Sequence, residues 1–258
     1  SGRVERPTGL IGAASARLVL EPGFLPVDVR ADGTVTVERV RTDGTDVKMS
    51  ERPDFVSSAS IGVAGRRVLE LAGTDIDSVT HLDLYSCFPS AVQLALRELD
   101  ITPDRQLTVY GGLSFAGGPW NNPVGHAIAS MVDVLRDDPG SLGLVTANGG
   151  VLDKHAFGVF STTPPRGGFL YDCPQDEIDS RGAHEVVGDH VGPAAIETWT
   201  VLHERGSGPA RALLACRTPH DARTWAWSED AELMRLGELV DMTATTVEID
   251  ADHMAHLI

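Results

Sequence analysis

The feature that most constrains this chain is a twelve-residue stretch, Gly111-Gly112-Leu113-Ser114-Phe115-Ala116-Gly117-Gly118-Pro119-Trp120-Asn121-Asn122. It stands between an apolar run, Leu107 to Tyr110, and a helical pattern that opens on Pro123. Glycine reaches backbone conformations that other residues rarely adopt, and proline suits a first helical turn, where its missing N–H would have no partner. The expected unit is therefore strand, glycine loop, helix. Ile128, Met131, Val132 and Leu135 recur at helical spacing until Asp137-Asp138-Pro139-Gly140 stops them.

The alternation continues on both sides. Ser57-Ser58 precede Ile61, Ala64, Gly65, Val68, Leu71 and Ala72 at helical spacing, and Gly73 is placed as a C-cap. His81 to Ser86 is expected as a strand feeding a helix over Ser90 to Leu99. Leu142 to Ala147 reads as a buried strand before the loop Asn148-Gly149-Gly150, and Phe157 to Ser161 as a last strand. Helices alternating with apolar strands over residues 51–165 imply a layered α/β domain.

Residues 1–50 carry two alternating runs, Val27 to Arg30 and Thr34 to Val40, around Asp32-Gly33, which is a hairpin signal; Asp43-Gly44 is expected to end the second run. Pro164-Pro165-Arg166-Gly167-Gly168 is the expected linker. Beyond it, Ala195 to His203, Arg211 to Arg217, Thr224 to Trp227 and Thr245 to Ile249 read as short strands, with one helix over Asp230 to Val240. That series, in residues 166–258, fits a small β-rich, OB-like module with Trp199, Trp225 and Trp227 in its core.

Composition limits the partners. A formal charge of −16, from 21 basic and 37 acidic residues, opposes binding to a phosphate backbone. Glu197, Glu204, Asp221, Glu229, Asp230, Glu232 and Glu238 make the C-terminal module acidic as well, so a lid or protein-contact role is expected there. The only lysines are Lys48 and Lys154, too few to hold an anionic membrane, and Lys154 is expected as a solvated surface residue. No apolar run approaches the roughly 20 residues of a membrane span, and a signal-peptide pattern is not seen, so a soluble, cytoplasmic protein is expected. Cys87, Cys173 and Cys216 are odd in number and far apart, which argues against a disulfide framework or a structural metal. No metal or bound cofactor is expected.

Three segments carry a resemblance: Asp83-Leu84-Tyr85-Ser86-Cys87-Phe88, then Gly111-Gly112-Leu113 running into Gly117-Gly118-Pro119, then Thr146-Ala147-Asn148-Gly149-Gly150. In this order and spacing they resemble the C-terminal half of a thiolase, nearest to the sterol-carrier-type and actinobacterial thiolase-like proteins, some of which carry an added C-terminal module. The resemblance implies an acyl-CoA thioester as substrate or ligand, and Claisen condensation or its reverse as the chemistry. It also implies that a cysteine nucleophile comes from an N-terminal half, which fifty residues cannot supply. A longer polypeptide, a partner subunit or a homo-oligomer would complete the site.

Three loops of the family's C-terminal half bear on the chemistry. The place of the first loop's Asn or His is held by Tyr85. The second loop's His position, counted without gaps, is Gly118, and the third loop's acid/base cysteine aligns with Asn148. The usual acid/base groups are absent at all three, and positioned acid–base catalysis is worth roughly 10²–10⁴-fold. His126, eight residues after Gly118 in the first turn of a helix, and His155, after the glycine turn, are the residues expected to take over. Asn148 can donate to a thioester oxygen but cannot shuttle a proton. Tyr85, Ser86, Cys87, Gly118, Trp120, Asn121, Gly149 and Gly150 are the expected substrate-binding set, with Asn122 beside them. For each histidine the alternative is a satisfied structural residue, and for Cys87 a small buried one.

The function these residues imply is an acyltransferase, or a C–C bond-forming or -cleaving protein, acting on acyl-CoA with degenerate acid/base loops. The alternatives are a non-catalytic acyl-CoA binding or scaffold subunit and, third, a thioesterase-like hydrolase using His126 and water.

Overall fold

The computed structural model describes residues 2–5, 14–20, 27–31, 35–36, 38–164 and 169–258. Strands β1 (Gly2–Glu5), β2 (Ala14–Leu20), β3 (Val27–Ala31) and β4 (Val35–Thr36) form an antiparallel sheet in that order. The expected hairpin is its β3–β4 pair, with Arg30 opposite Thr36; its turn lies outside the described residues.

The chain divides into two compact units, Ser1–Asp46 with Val56–Arg181, and Val47–Phe55 with Gly182–Ile258. These bounds fall elsewhere than the expected 50 and 165, because two elements beyond 165 pack in the first unit and the segment 47–55 bonds within the second.

The main sheet of the first unit takes in β5 (Glu38–Thr45), and residues 59–179 supply the rest: α1 (Ala59–Ala72), β6 (His81–Asp83), α2 (Pro89–Glu98), α3 (Leu113–Ala116), α4 (Pro123–Asp137), β7 (Leu142–Gly149), β8 (Lys154–Ser161), β9 (Leu170–Asp172) and α5 (Gln175–Asp179). The sheet order is β6-β7-β8-β5-β9, with parallel pairs at its two edges and antiparallel pairs between. Asp43-Gly44 does not end a strand; it lies inside β5, with Gly44 opposite His155. A side chain at Gly44 would overlap Ile178, so the glycine there answers to close packing of α5 and not to a turn.

Alternate residues of β7 face opposite layers, as strand geometry requires. Leu144 joins Leu82, Phe157 and Val159 against Ile61, Ala64 and Val68 of α1 and Leu94 and Ala95 of α2. Val145 joins Phe160 against Ala127, Met131 and Leu135 of α4. The helices α1 and α4 form as the sequence indicates: the Ser58 side chain accepts from the Ile61 N–H, Gly73 ends α1 at φ 64°, and Pro123 opens α4.

Leu107 to Tyr110 is not a strand. The Asp83 carboxylate accepts from Thr108 Oγ1 at 2.8 Å and from Val109 N at 3.0 Å, and Leu84 N donates to Leu107 O at 2.9 Å. A buried carboxylate thus takes up backbone groups that a ladder would otherwise satisfy.

In the second unit, β10 (Gly192–Glu204), β11 (Gly208–Arg217), β12 (Arg223–Ser228), α6 (Ala231–Leu239), β13 (Thr246–Ile249) and β14 (Ala255–Leu257) follow one another. The strand order is β12-β11-β10-β13-β14, and a parallel bridge, Trp227 to Met254, joins β12 to the residue just before β14. Ser228 Oγ donating to Ala255 O at 2.7 Å continues that seam. A five-stranded antiparallel sheet with this crossover order and return pairing, and a helix between its third and fourth strands in sequence, is an OB-like barrel.

Its core holds Ile196, Leu214, Leu233, Met242, Val247 and Ile249. Of the three tryptophans only Trp199 packs against that core, its indole N–H donating to Gly237 O at 2.9 Å. Trp225 and Trp227 are half-exposed because the alternation of β12 buries Thr224, Ala226 and Ser228 instead. Trp225 meets Phe55 edge-on, and the Arg211 guanidinium lies over Trp227, 4.1 Å from the ring centroid. Among the described residues, no helix is long and apolar enough to cross a membrane.

Candidate functional site

In the first unit, the turn from β6 into α2 carries Tyr85-Ser86-Cys87-Phe88, and two other segments are fastened to it. Tyr85 N donates to Thr146 Oγ1 of β7 at 2.8 Å. Two residues further along the same face of β7, Asn148 Nδ2 meets Cys87 Sγ at 3.3 Å. Ser86 Oγ accepts from Leu113 N at 3.2 Å, which anchors the start of the glycine-rich loop. Gly112 has φ +73°, and a Cβ there would come within 2.6 Å of Ser86 Oγ, so both conformation and space demand glycine.

Behind the Cys87–Asn148 contact lies a cavity of about 10 Å³, lined by Tyr85, Thr146, Asn148 and His155 with apolar side chains from α1 and α2. That is roughly the room one water needs. The Asn148 Oδ1 atom is buried and has no protein hydrogen-bond partner. His155 is buried directly across the ladder from Asn148, and its Nε2 lies 3.2 Å from the Leu152 carbonyl oxygen, to which the ring N–H donates. Its ring is therefore fixed by the β7–β8 turn.

His126 is half-buried in the first turn of α4, and its ring stands edge-on to Tyr110 with centroids 6.4 Å apart. It does not line the cavity. Burial raises the phenol of Tyr85, with the nearby Cys87 adding to the effect, and burial likewise raises that of Tyr110, helped by Asp83 and Tyr85. Both phenols are neutral donors at neutral pH. Burial also lifts the Asp83 carboxyl above its ordinary range, against the hydrogen bonds from Thr108 and Val109.

The structure thus brings Tyr85, Cys87, Asn148 and His155 together and pins Ser86 to the glycine loop. Gly149 ends β7, and Gly150, at φ +62°, makes the turn, where a side chain would overlap the Asp153 carboxylate that accepts from Val151 N at 2.6 Å. Gly118, Trp120 and Asn121 are exposed and lie off the cavity. Lys154 is exposed, as expected. Thr146 and Tyr110 escaped the sequence reading; the two-residue spacing of Thr146 and Asn148 on a strand was the available signal for the first. Among the described residues, no group of three His, Cys, Asp or Glu side chains could hold a metal ion.

Residues 174–253 match the family described as thiolase-like protein type 1 additional C-terminal domain. The chain also superposes on the crystal structure of a monomeric SCP2-thiolase like protein type 1 from Mycobacterium smegmatis with a TM-score of 0.78 at 29% identity, covering 86% of this chain and 50% of that one. The fold of this chain is thus similar to that of an SCP2-thiolase like protein, and its residues 174–253 are similar to that family's additional C-terminal domain. No curated protein matches it.

The chain spans about half the length of that solved structure. Around its loops the surface is unusually apolar: Phe88 is 70% exposed, Phe115 87%, Trp120 95% and Val151 68%, so each of the three loops contributes to the rim. The amide of Asn148, in the third loop, touches the thiol of Cys87, supplied by the first loop.

Proposed function

We propose that this chain is the C-terminal part of a cytoplasmic acyltransferase that forms or cleaves a C–C bond in acyl-CoA thioesters, with Cys87 as its proton-carrying group. The observation that supports it is the 3.3 Å contact of Asn148 Nδ2 with Cys87 Sγ, beside a cavity that Asn148 lines, with the Asn148 Oδ1 atom buried and without a hydrogen-bond partner. In this reading the Cys87 sulfur takes a proton from the carbon next to a thioester carbonyl, and the resulting carbanion attacks an acyl group held as a thioester on a nucleophilic cysteine. The new C–C bond forms as the C–S bond breaks and the nucleophile's thiolate leaves; the reverse sequence cleaves. Asn148 orients the sulfur. His126 acts through Tyr110 as a positioning residue, and His155 holds the turn behind Asn148. The nucleophile and the basic groups that a CoA phosphate requires come from a thiolase N-terminal half, on the same polypeptide or on a partner.

The test is exchange of the α-proton of an acyl-CoA into deuterated water, followed by NMR, with the completing half present. Cys87→Ala is expected to slow exchange by roughly 10²–10⁴-fold, Asn148→Ala by less, and His126→Ala to leave it within a few-fold. Undiminished exchange in Cys87→Ala overturns the assignment. The exposed rim of Phe88, Phe115, Trp120 and Val151 favours a second reading, a non-catalytic scaffold that completes a partner's acyl-CoA site. Acyl-CoA binding with no exchange by the wild-type assembly would establish that reading in place of the first.

A further inference from the structure

Within the first unit, residues 107–113 lead the chain into the glycine-rich loop, and they run beside residues 83–86 without a strand ladder between them. Three contacts hold the two segments together instead. Leu84 N donates to Leu107 O at 2.9 Å, and this alone of the three joins backbone to backbone. The Asp83 carboxylate receives Thr108 Oγ1 at 2.8 Å and Val109 N at 3.0 Å, both on Oδ2, and Ser86 Oγ accepts from Leu113 N at 3.2 Å. Thr108 Oγ1 accepts in turn from Tyr110 N at 3.3 Å. The carboxylate thus fixes a hydroxyl, and the hydroxyl fixes the backbone of Tyr110.

Asp83 is the unusual member of this set. It is almost fully buried, burial lifts its carboxyl above the ordinary range, and no basic group acts on it to offset that. Burying a carboxyl without a counter-cation costs stability that an apolar residue of the same size would not. What its two hydrogen bonds supply is the place of Tyr110. Val109 and Tyr110 pack against Ala127, Met131 and Leu135, and the Tyr110 ring stands edge-on to His126 with centroids 6.4 Å apart. From these contacts we infer that Asp83 is a positioning residue: its accepting oxygen, in place of a strand ladder, sets where Tyr110 meets His126 and where the glycine-rich loop begins. Its effect on catalysis rests on the role proposed for Cys87, and its effect on geometry does not.

Two variants of the full chain separate positioning from packing. Asp83→Asn keeps an accepting oxygen and loses the charge, whereas Asp83→Leu keeps the volume and loses both. Amide hydrogen exchange, followed by mass spectrometry, is expected to rise at least about tenfold in peptides covering 107–113 for Asp83→Leu and to stay at the wild-type level for Asp83→Asn. The NMR signals of the His126 imidazole, assigned with His126→Ala, are expected to move in Asp83→Leu only. Wild-type protection of 107–113 in Asp83→Leu, or failure of Asp83→Asn to hold the segment, overturns the assignment. Should Asp83→Leu fail to fold, Thr108→Val deletes only the bridging hydroxyl; it is expected to raise amide exchange over 108–110 and to move the His126 signals, and no change in either overturns the assignment as well. With the completing half present, the α-proton exchange of an acyl-CoA is expected to fall roughly 10–100-fold in kcat for Asp83→Leu, with KM nearly unchanged and Asp83→Asn close to wild type. Undiminished kcat in Asp83→Leu, where Cys87→Ala does slow the reaction, tells against Asp83. Where Cys87→Ala has no effect, the role of Cys87 fails, and the amide exchange and NMR results still decide on Asp83.

Discussion

Cys87, Cys173 and Cys216 illustrate how far one residue type diverges with environment. Cys216 is completely buried in the barrel, where loss of hydration, aided by the nearby charge of Glu197, pushes its thiol up to about 12. Cys173 is exposed and Cys87 half-buried. Alkylation at neutral pH should therefore modify Cys173 first, Cys87 more slowly and Cys216 only after unfolding, since the thiolate is the reactive form; peptide mapping of a labelling time course reads the order. Labelling of Cys216 in the folded protein at the rate of Cys173 would refute its burial. The sequence marked Cys87 and Asn148 as site residues, but it could not join them: they lie 61 positions apart, and strand periodicity says which face Asn148 occupies without saying what it meets.

At the scale of elements, what depends on local rules was legible and what depends on remote partners was not. The N-cap at Ser58, the C-cap at Gly73 and the proline opening of α4 follow from nearest-neighbour chemistry. Leu107 to Tyr110 had the composition of a strand, yet its backbone is claimed by Asp83, more than twenty residues earlier. The seating of α4 on β7 depends on a glycine in the same hidden way: a side chain at Gly143 would overlap Met131 Sδ. Gly143→Ala should destabilise the first unit by about 1–3 kcal/mol, the usual cost of overpacking a filled core. Equilibrium urea unfolding measures it, and an unchanged midpoint would mean that α4 moves aside freely.

Across the whole molecule, electrostatics gives the second unit an acid limit. Burial alone would raise the Glu197 carboxyl, but the hydrogen bonds from Arg223 and Arg217 outweigh it and hold the group below its ordinary range. A folded-state value below the unfolded one means that the stabilisation is complete above the ordinary carboxylate range of about 4.3 and is lost as pH falls through the folded value. Thermal unfolding from pH 7 to pH 3 should show wild type losing stability more steeply than Glu197→Gln, with the gap between them closing in acid; a constant gap contradicts the account. The OB-like barrel itself was readable from strand spacing, whereas its closure through Trp227 and Met254 and its recruitment of residues 47–55 were not, because both join segments distant in sequence.

That distance also has a meaning in time. Ser50 and Arg223, which share a hydrogen bond, are 173 positions apart. At a synthesis rate of about 5–20 residues per second, Ser50 leaves the ribosome roughly nine to thirty-five seconds before the arginine that will hold it is made. During translation Val47 to Phe55 must therefore wait, and the second unit cannot complete its hydrogen bonds until its third strand supplies Arg223.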